Sequence, residues 1–481
     1  MDRWLAAALD YIPCWIEHQM RLSEQPGCAI AIAQRGKLVL EQAFGHADLA
    51  RGELLTPRHR FRVASHSKSF TAAGVLKLRE QGRLRLDDPV GRYVAGLHPR
   101  VASATLAQLL SHAAGVVRDG ADAGQWSDRR PFLDEAALRA DLAAGPVIEP
   151  NTRLKYSNHG YGLIALVIEA VTGERYVDWI AHEIVAAAGL SETTPDAPID
   201  ASLPFARGHS AKWPLGRRVV IPGDNPTRAL AAATGFVSTA GDLARFFASL
   251  APEAKKSVLS SDSRREMGRR QWLDPHSSLE RWYGLGTIAG TLVDWEWRGH
   301  TGGFQGTTTR TACVPAQGLT VSVLTNAADG PSLGWVDGAL HILRAHARDG
   351  APSRRTAAWS GRWWSLWGAI DLVPLDDKVL VANPALMNPL QDATELAVDG
   401  PAQGRIALAG GFGSHGETVR MVRDARGRPM AFWLAGTRLR PGAAIAQELA
   451  VKYEGARRGV PSAAEPDEPI ARNKGQATRR R

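Results

Sequence analysis

The chain has 481 residues, 44% of them hydrophobic and 22% charged, a globular balance that excludes wholesale disorder, collagen and a coiled coil. At roughly 100–200 residues per domain, this length corresponds to two to four domains. Lys and Arg number 58 against 49 Asp and Glu, a net charge of +9 with His neutral; much of the excess lies at the C-terminal end, with no recognisable module or basic–aromatic stripe beside it, so no nucleic-acid partner is expected.

The spacing of Trp4, Leu5, Ala8, Leu9 and Ile12 predicts an amphipathic first helix rather than a signal peptide. No stretch reaches the ~18–20 apolar residues that span a bilayer. The longest candidate, 163–171, is short and carries Glu169, so no membrane association and a cytoplasmic location are expected. Residues 28–34 and 37–44 read as strands around a tight turn at Arg35-Gly36. Helical patterns follow at 70–82, 161–172 and 240–250, then strands at 291–297, 305–314 and 319–325, and a helix at 333–347. Strands at both ends with helices between predict an α+β domain, one antiparallel sheet flanked by helices.

Residues 349–355 read as a linker. Beyond it, short alternating runs at 363–372, 378–381, 405–408, 417–423 and 430–434 predict a small all-β barrel or sandwich. Trp359, Trp363, Trp364 and Trp367 are expected to close its base or pack an interface rather than line a ligand cavity. The last stretch is polar, Pro-rich and basic, the composition of a disordered tail. The expected division is 1–350, 351–453 and 454–481.

Chemistry enters at Ser65, where a loop meets an apolar-periodic helix, with Lys68 three residues on. On a helix, positions i and i+3 share a face, so the amine can accept the hydroxyl proton if burial or a second cation lowers its pKa. Alone, Ser-x-x-Lys is common by chance. Downstream stand Tyr156-Ser157-Asn158 before a helix and His300-Thr301-Gly302-Gly303 after a strand. A Ser-x-x-Lys, a Tyr-x-Asn and a basic-Thr-Gly in this order resemble the three-motif pattern of the serine β-lactamase and penicillin-binding-protein superfamily. Residues 82–94, 109–116 and 233–246 also resemble signature stretches of its class C β-lactamase-like branch, which includes esterases, D-aminopeptidases and D-Ala-D-Ala carboxypeptidases. The resemblance covers about residues 25–345 and implies an all-helical subdomain beside the sheet. The C-terminal part is similar, on pattern alone, to the lipocalin-like barrel that some of these hydrolases append.

The resemblance implies roles. Ser65 is the nucleophile that forms an acyl-enzyme, and Lys68 and Tyr156 are the proton-transfer pair, either of which is open as the base. Asn158 bonds Lys68 and the substrate, and the backbone N–H groups of Ser65 and Gly303 form the oxyanion hole, with Thr301 and Gly302 beside it. His300 departs from the lysine usual at its position. Arg298 and Lys68 are expected to keep it neutral, so that it orients Thr301 and Tyr156 instead of clamping a carboxylate. His112 reads as a structural hydrogen-bonding residue. His182-Glu183 begins a zinc-helix motif but Ala186 ends it, and three cysteines (Cys14, Cys28, Cys313) make neither a disulfide framework nor a zinc cluster. The expected protein is a metal- and cofactor-free serine hydrolase of a small-molecule or peptide ester or amide, open to homo-oligomer formation. The rival is a catalytically idle ligand-binding or penicillin-sensing protein that uses the same cleft or the barrel.

Overall fold

A computed structural model describes residues 1–213 and 215–454. The chain divides into two units, one made of Met1–Pro352 and Asn383–Gln391, the other of Ser353–Ala382 and the chain from Asp392 onward. The proposed tail, apart from its first residue, lies outside the described residues.

The first unit is built on a nine-stranded antiparallel sheet drawn from both ends of its sequence. In chain order the strands are β1 (Gly27–Gln34), β2 (Lys37–Asp48), β3 (Glu53–Leu54), β4 (Trp272–Leu273), β5 (Arg281–Tyr283), β6 (Ile288–Leu292), β7 (Trp295–Phe304), β8 (Thr307–Val314) and β9 (Leu319–Thr325). Their spatial order is β3-β2-β1-β9-β8-β7-β6-β5-β4, which places the first hairpin beside the last strand. The helices that bear on the site or cover the sheet are α1 (Arg3–Leu22), α2 (Ser67–Glu80), α3 (Asn158–Thr172), α4 (Ala240–Ser249) and α5 (Ser332–Asp349).

The side-chain period of two explains the layers. On β1, Cys28, Ile30 and Ile32 face one way and join a core with Ile12 and Trp15 of α1 and Trp335, Leu340 and Leu343 of α5. Ala29, Ala31 and Ala33 face the other way, into the larger core shared with α2, α3 and α4. The alanines let α4 lie close over the sheet, where Leu243, Phe246 and Phe247 fill the space. Helix α3 is buried from Asn158 to Ile168, all round rather than along one stripe. This is the α+β architecture expected from the sequence.

The second unit is a barrel of eight strands in sequential order: β10 (Gly361–Ser365), β11 (Gly368–Leu375), β12 (Lys378–Ala382), β13 (Thr394–Val398), β14 (Gln403–Leu408), β15 (Thr418–Arg423), β16 (Pro429–Leu434) and β17 (Thr437–Leu439). Two backbone bonds between Trp364 and Arg440, at 2.8 and 2.9 Å, bring its ends together. Trp359 and Trp363 are buried in the barrel core with Leu396, Met421 and Phe432, whereas Trp367 is exposed at a hairpin tip. A last helix, α6 (Gly442–Leu449), follows.

Two predicted strands are hairpins instead. The run 291–297 turns at Val293-Asp294, with Val293 at φ +59°, and the run 363–372 turns at Leu366-Trp367. The second turn is made of two apolar residues and the first signals a bend only through the single Asp294, so neither carries the Gly, Pro or Asn pairs that punctuate a strand. Strands β13 and β17 and helix α6 were not predicted.

Candidate active site

The segment before α2 turns sharply. Ala64 sits at φ +47°, uncommon for a residue with a Cβ, and residues Ala64–His66 form a single tight turn that runs into the helix. Ser67 locks this turn, its hydroxyl donating to the Ala64 carbonyl at 2.5 Å and accepting the Phe236 N–H at 3.0 Å. Ser65 is thereby held half-buried, while Ala64 and His66 to Ser69 are buried.

Lys68 lies on the same helical face, fully buried. Its Nζ donates to Ser65 Oγ at 3.1 Å, to Asn158 Oδ1 at 2.8 Å and to the Ala233 carbonyl at 2.8 Å. Tyr156 OH donates to the same Ser65 Oγ at 2.8 Å. Burial holds the Lys68 amine well below the usual lysine range; Asp119 opposes this and Arg118 reinforces it. Burial also pushes the Tyr156 phenol up, so the proton stays on Tyr156 more readily than on Lys68.

Asn158 opens α3, where the hydroxyl of Ser157 caps the helix by accepting the Gly160 N–H at 2.9 Å. Its other amide end donates to Asp119 Oδ1 at 2.7 Å, an oxygen that also accepts Trp126 Nε1 at 3.0 Å. Asp119 was not foreseen from the sequence, nor was the Ala233 carbonyl. The first lies three residues beyond the recognised stretch 109–116; the second is a main-chain atom that no residue type announces.

Strand β7 brings His300, Thr301, Gly302 and Gly303 to the nucleophile loop. Its pairing with β6 ends at Gly299, so residues 300–304 have β8 on one side only. Gly302 is pressed against the loop, since a Cβ there would collide with the Val63 carbonyl two residues before Ser65. Gly303 faces open space. His300 is buried, with Nε2 3.0 Å from the Tyr283 hydroxyl and Nδ1 2.7 Å from the Thr301 carbonyl. Burial, then His66 and Lys68, push its pKa well below the usual histidine value. Arg298 takes no part in this; its guanidinium packs against Gly268. Tyr283, also unforeseen, stands edge-on to the Tyr156 ring at 6.2 Å, and His112 lies 4.1 Å from Tyr156 while accepting the Ser157 N–H at 3.2 Å. Among the described residues no group of His, Cys, Asp or Glu is placed to hold a metal ion, and no helix is long and apolar enough to cross a membrane.

The sheet, the helical layer and a serine bonded by a buried lysine and a tyrosine come together in one α+β unit. The Beta-lactamase family model matches residues 15–344, and the chain belongs to that family. It is 31% identical over 167 residues to penicillin-binding protein 4* of Bacillus subtilis strain 168, an alignment covering 34% of this chain and 37% of that protein. The chain spans about a third of the length of the curated relatives it matches. Among solved structures, the octameric penicillin-binding protein homologue from Pyrococcus abyssi superposes with a TM-score of 0.63 at 22% identity, covering 89% of this chain and 99% of the other. The D-amino acid amidase from Ochrobactrum anthropi SV3, complexed with L-phenylalanine amide, gives 0.61 at 23%, covering 71% and 99%. The fold is that of β-lactamases and penicillin-binding-protein homologues.

Proposed function

We propose that the protein is a serine hydrolase that cleaves an ester or amide through an acyl-enzyme on Ser65. The observation that carries this reading is the convergence of Lys68 Nζ and Tyr156 OH on one half-buried hydroxyl oxygen, at 3.1 and 2.8 Å. In its neutral form Lys68 takes the Ser65 proton as Oγ attacks the substrate carbonyl carbon. The depressed amine and elevated phenol favour Lys68 as the base, with Tyr156 relaying the proton to the leaving group. The negative charge on the carbonyl oxygen falls to the backbone N–H groups of Ser65 and Gly303. The C–O or C–N bond then breaks, the leaving group departs protonated, and water attacks the ester with the same pair acting in reverse. Asn158 holds Lys68 in place and offers its amide toward the substrate.

The substrate class we propose is a carboxylic ester or a D-amino-acid-type amide or peptide, in keeping with the D-amino acid amidase among the structural neighbours. Assembly into a homo-oligomer is likewise proposed, after the octameric homologue. The test is labelling with a fluorophosphonate probe, alongside turnover of p-nitrophenyl esters and D- and L-amino-acid anilides. Wild type gains the probe mass on Ser65 and turns over at least one series, and Ser65→Ala does neither. An adduct on the alanine variant refutes the assignment, and a folded wild type that neither labels nor turns over supports the idle binding protein.

A further inference from the structure

Tyr156 brings its hydroxyl to Ser65, yet among the described residues its own main-chain N–H and C=O make no hydrogen bond. The residues on either side of it are held instead, and by one partner. The His112 carbonyl accepts the Lys155 N–H at 2.8 Å, and His112 Nδ1 accepts the Ser157 N–H at 3.2 Å. The imidazole also packs on the Tyr156 ring, with centroids 4.1 Å apart and planes inclined by 39°. His112 thus grips the chain before the tyrosine, the chain after it and the ring itself.

The grip is braced from behind. The carbonyl of Leu110, two residues earlier, accepts the Tyr161 hydroxyl at 2.7 Å and the Gly286 N–H at 3.2 Å. The Tyr283 ring lies 4.5 Å from the imidazole, and the Tyr283 hydroxyl lies 3.0 Å from His300 Nε2 on β7. A series of packed rings therefore runs from β7 to Tyr156.

Packing alone does not call for a histidine here. The backbone of His112 is left-handed at φ +61°, uncommon for a residue with a Cβ. Burial and the Lys68 charge keep the ring neutral. With Nδ1 accepting, the proton sits on Nε2, which is buried with no hydrogen-bond partner among the described residues. A strained backbone and an unpartnered buried donor both count against stability, and such features gather at functional sites.

Building on the acyl-enzyme reading, we propose that His112 is a positioning residue for Tyr156, holding the phenol against Ser65 so that its proton reaches the leaving group. It acts through Tyr156. A p-nitrophenolate leaves without a proton, whereas an alkoxide needs one, so the hold matters most for poor leaving groups.

The experiment compares ethyl butyrate with p-nitrophenyl butyrate. His112→Asn keeps a residue type suited to the left-handed backbone and an amide oxygen for the Ser157 N–H, but removes the ring. It should lower kcat/KM for the ethyl ester by about 10- to 100-fold more than for the p-nitrophenyl ester, the scale of a misplaced acid–base group. In a Tyr156→Phe background the same substitution should leave the ratio of the two esters unchanged, since no phenolic proton remains to be placed. Thermal melts check the fold. Should His112→Asn not fold, His112→Phe, which keeps a ring and loses the acceptor, carries the same comparison. An equal loss on both esters, or a change in their ratio that persists in the Tyr156→Phe background, marks a merely structural residue and overturns the proposal. Crystal structures of wild type and variant read the hold without chemistry. The Tyr156 hydroxyl should leave hydrogen-bond reach of Ser65 Oγ in His112→Asn, and an unmoved hydroxyl overturns the proposal whatever the rates. A wild type that turns over neither ester, with a hydroxyl that does move in the variant, counts against the hydrolase reading and leaves the hold on Tyr156 standing.

Discussion

Gly302 and Gly303 are neighbours on β7, yet they should respond oppositely to one methyl group. A Cβ on Gly302 would overlap the Val63 carbonyl and Thr309 Oγ1, with Val63 C at 3.0 Å behind them. Two of these three atoms are backbone, and Val63 is also bonded through its N–H to Phe236 at 3.0 Å, so the contact has little room to yield. Overpacking of this kind costs about 1–3 kcal/mol. For a unit of this size that is a melting-temperature drop of roughly 1–4 °C in Gly302→Ala. A Cβ on Gly303 meets nothing within 4 Å. Gly303→Ala should melt with wild type or slightly above it, because alanine in a strand removes the glycine's entropic cost of about 0.5–1 kcal/mol. Thermal melts followed by tryptophan fluorescence give the stabilities, and the rate of fluorophosphonate labelling reports the site. Gly302→Ala should also label more slowly, since the displaced strand moves relative to Ser65 and misplacement by about 1 Å costs on the order of 10²-fold. If Gly302→Ala melts with wild type, or Gly303→Ala falls as far as its neighbour, the close approach of β7 to the nucleophile loop is wrong.

Lys68→Ala and Tyr156→Phe should each lower kcat/KM by about 10²–10⁴-fold with the fold retained in far-ultraviolet circular dichroism, and near-wild-type rates in both would displace the site. A neutral ester should be turned over well at pH 8, because Lys68 sits far below the ordinary lysine value of 10.5 and His300 is already neutral there; a rate that climbs steadily to pH 10 would show an unperturbed lysine. Stability should fall as pH drops below about 6.5, where the unfolded chain protonates His66, His112 and His300 while the folded protein does not. Each contributes up to about 1.4 kcal/mol per pH unit until its folded pKa is reached, about 4 for His66, and urea titrations at stepped pH would detect a missing slope.

What could be read in advance followed the range of the interactions. The Ser65–Lys68 pair and the β1–β2 hairpin are set by neighbours within a few residues, and periodicity exposes them. The meeting of Ser65 with Tyr156 and β7 joins segments some 90 and 235 positions apart, and only the motif order announced it. Asp119, Tyr283 and the Ala233 carbonyl act through tertiary contact with groups elsewhere in sequence, and no local pattern marks them. The sequence attributes a neutral His300 to Arg298 and Lys68, whereas in the structure burial, His66 and Lys68 lower its pKa. Strand alternation put Arg298 on the same side, while the buried His66 at the nucleophile turn, with rings 6.0 Å apart, bears on it instead. The two missed turns lack Gly, Pro and Asn at the bend: one is Leu366-Trp367 and the other carries only Asp294 beside Val293.

The nine residues Asn383–Gln391 lie between two barrel strands in sequence but belong to the first unit, where the carbonyls of Pro384 and Leu386 accept bonds from Gln19 and Trp15 of α1. The polypeptide therefore passes from one unit to the other three times, after Pro352, Ala382 and Gln391. Such a barrel is not a cassette that a recombination event at one junction could add or remove. A protease nick between 349 and 355 would leave the two halves still stitched together by that loop. Gene truncation at the same place would strip α1 of its acceptors and expose the indole of Trp15, so the N-terminal helix, more than 350 positions upstream in sequence, would be the first to report the loss of the C-terminal strands.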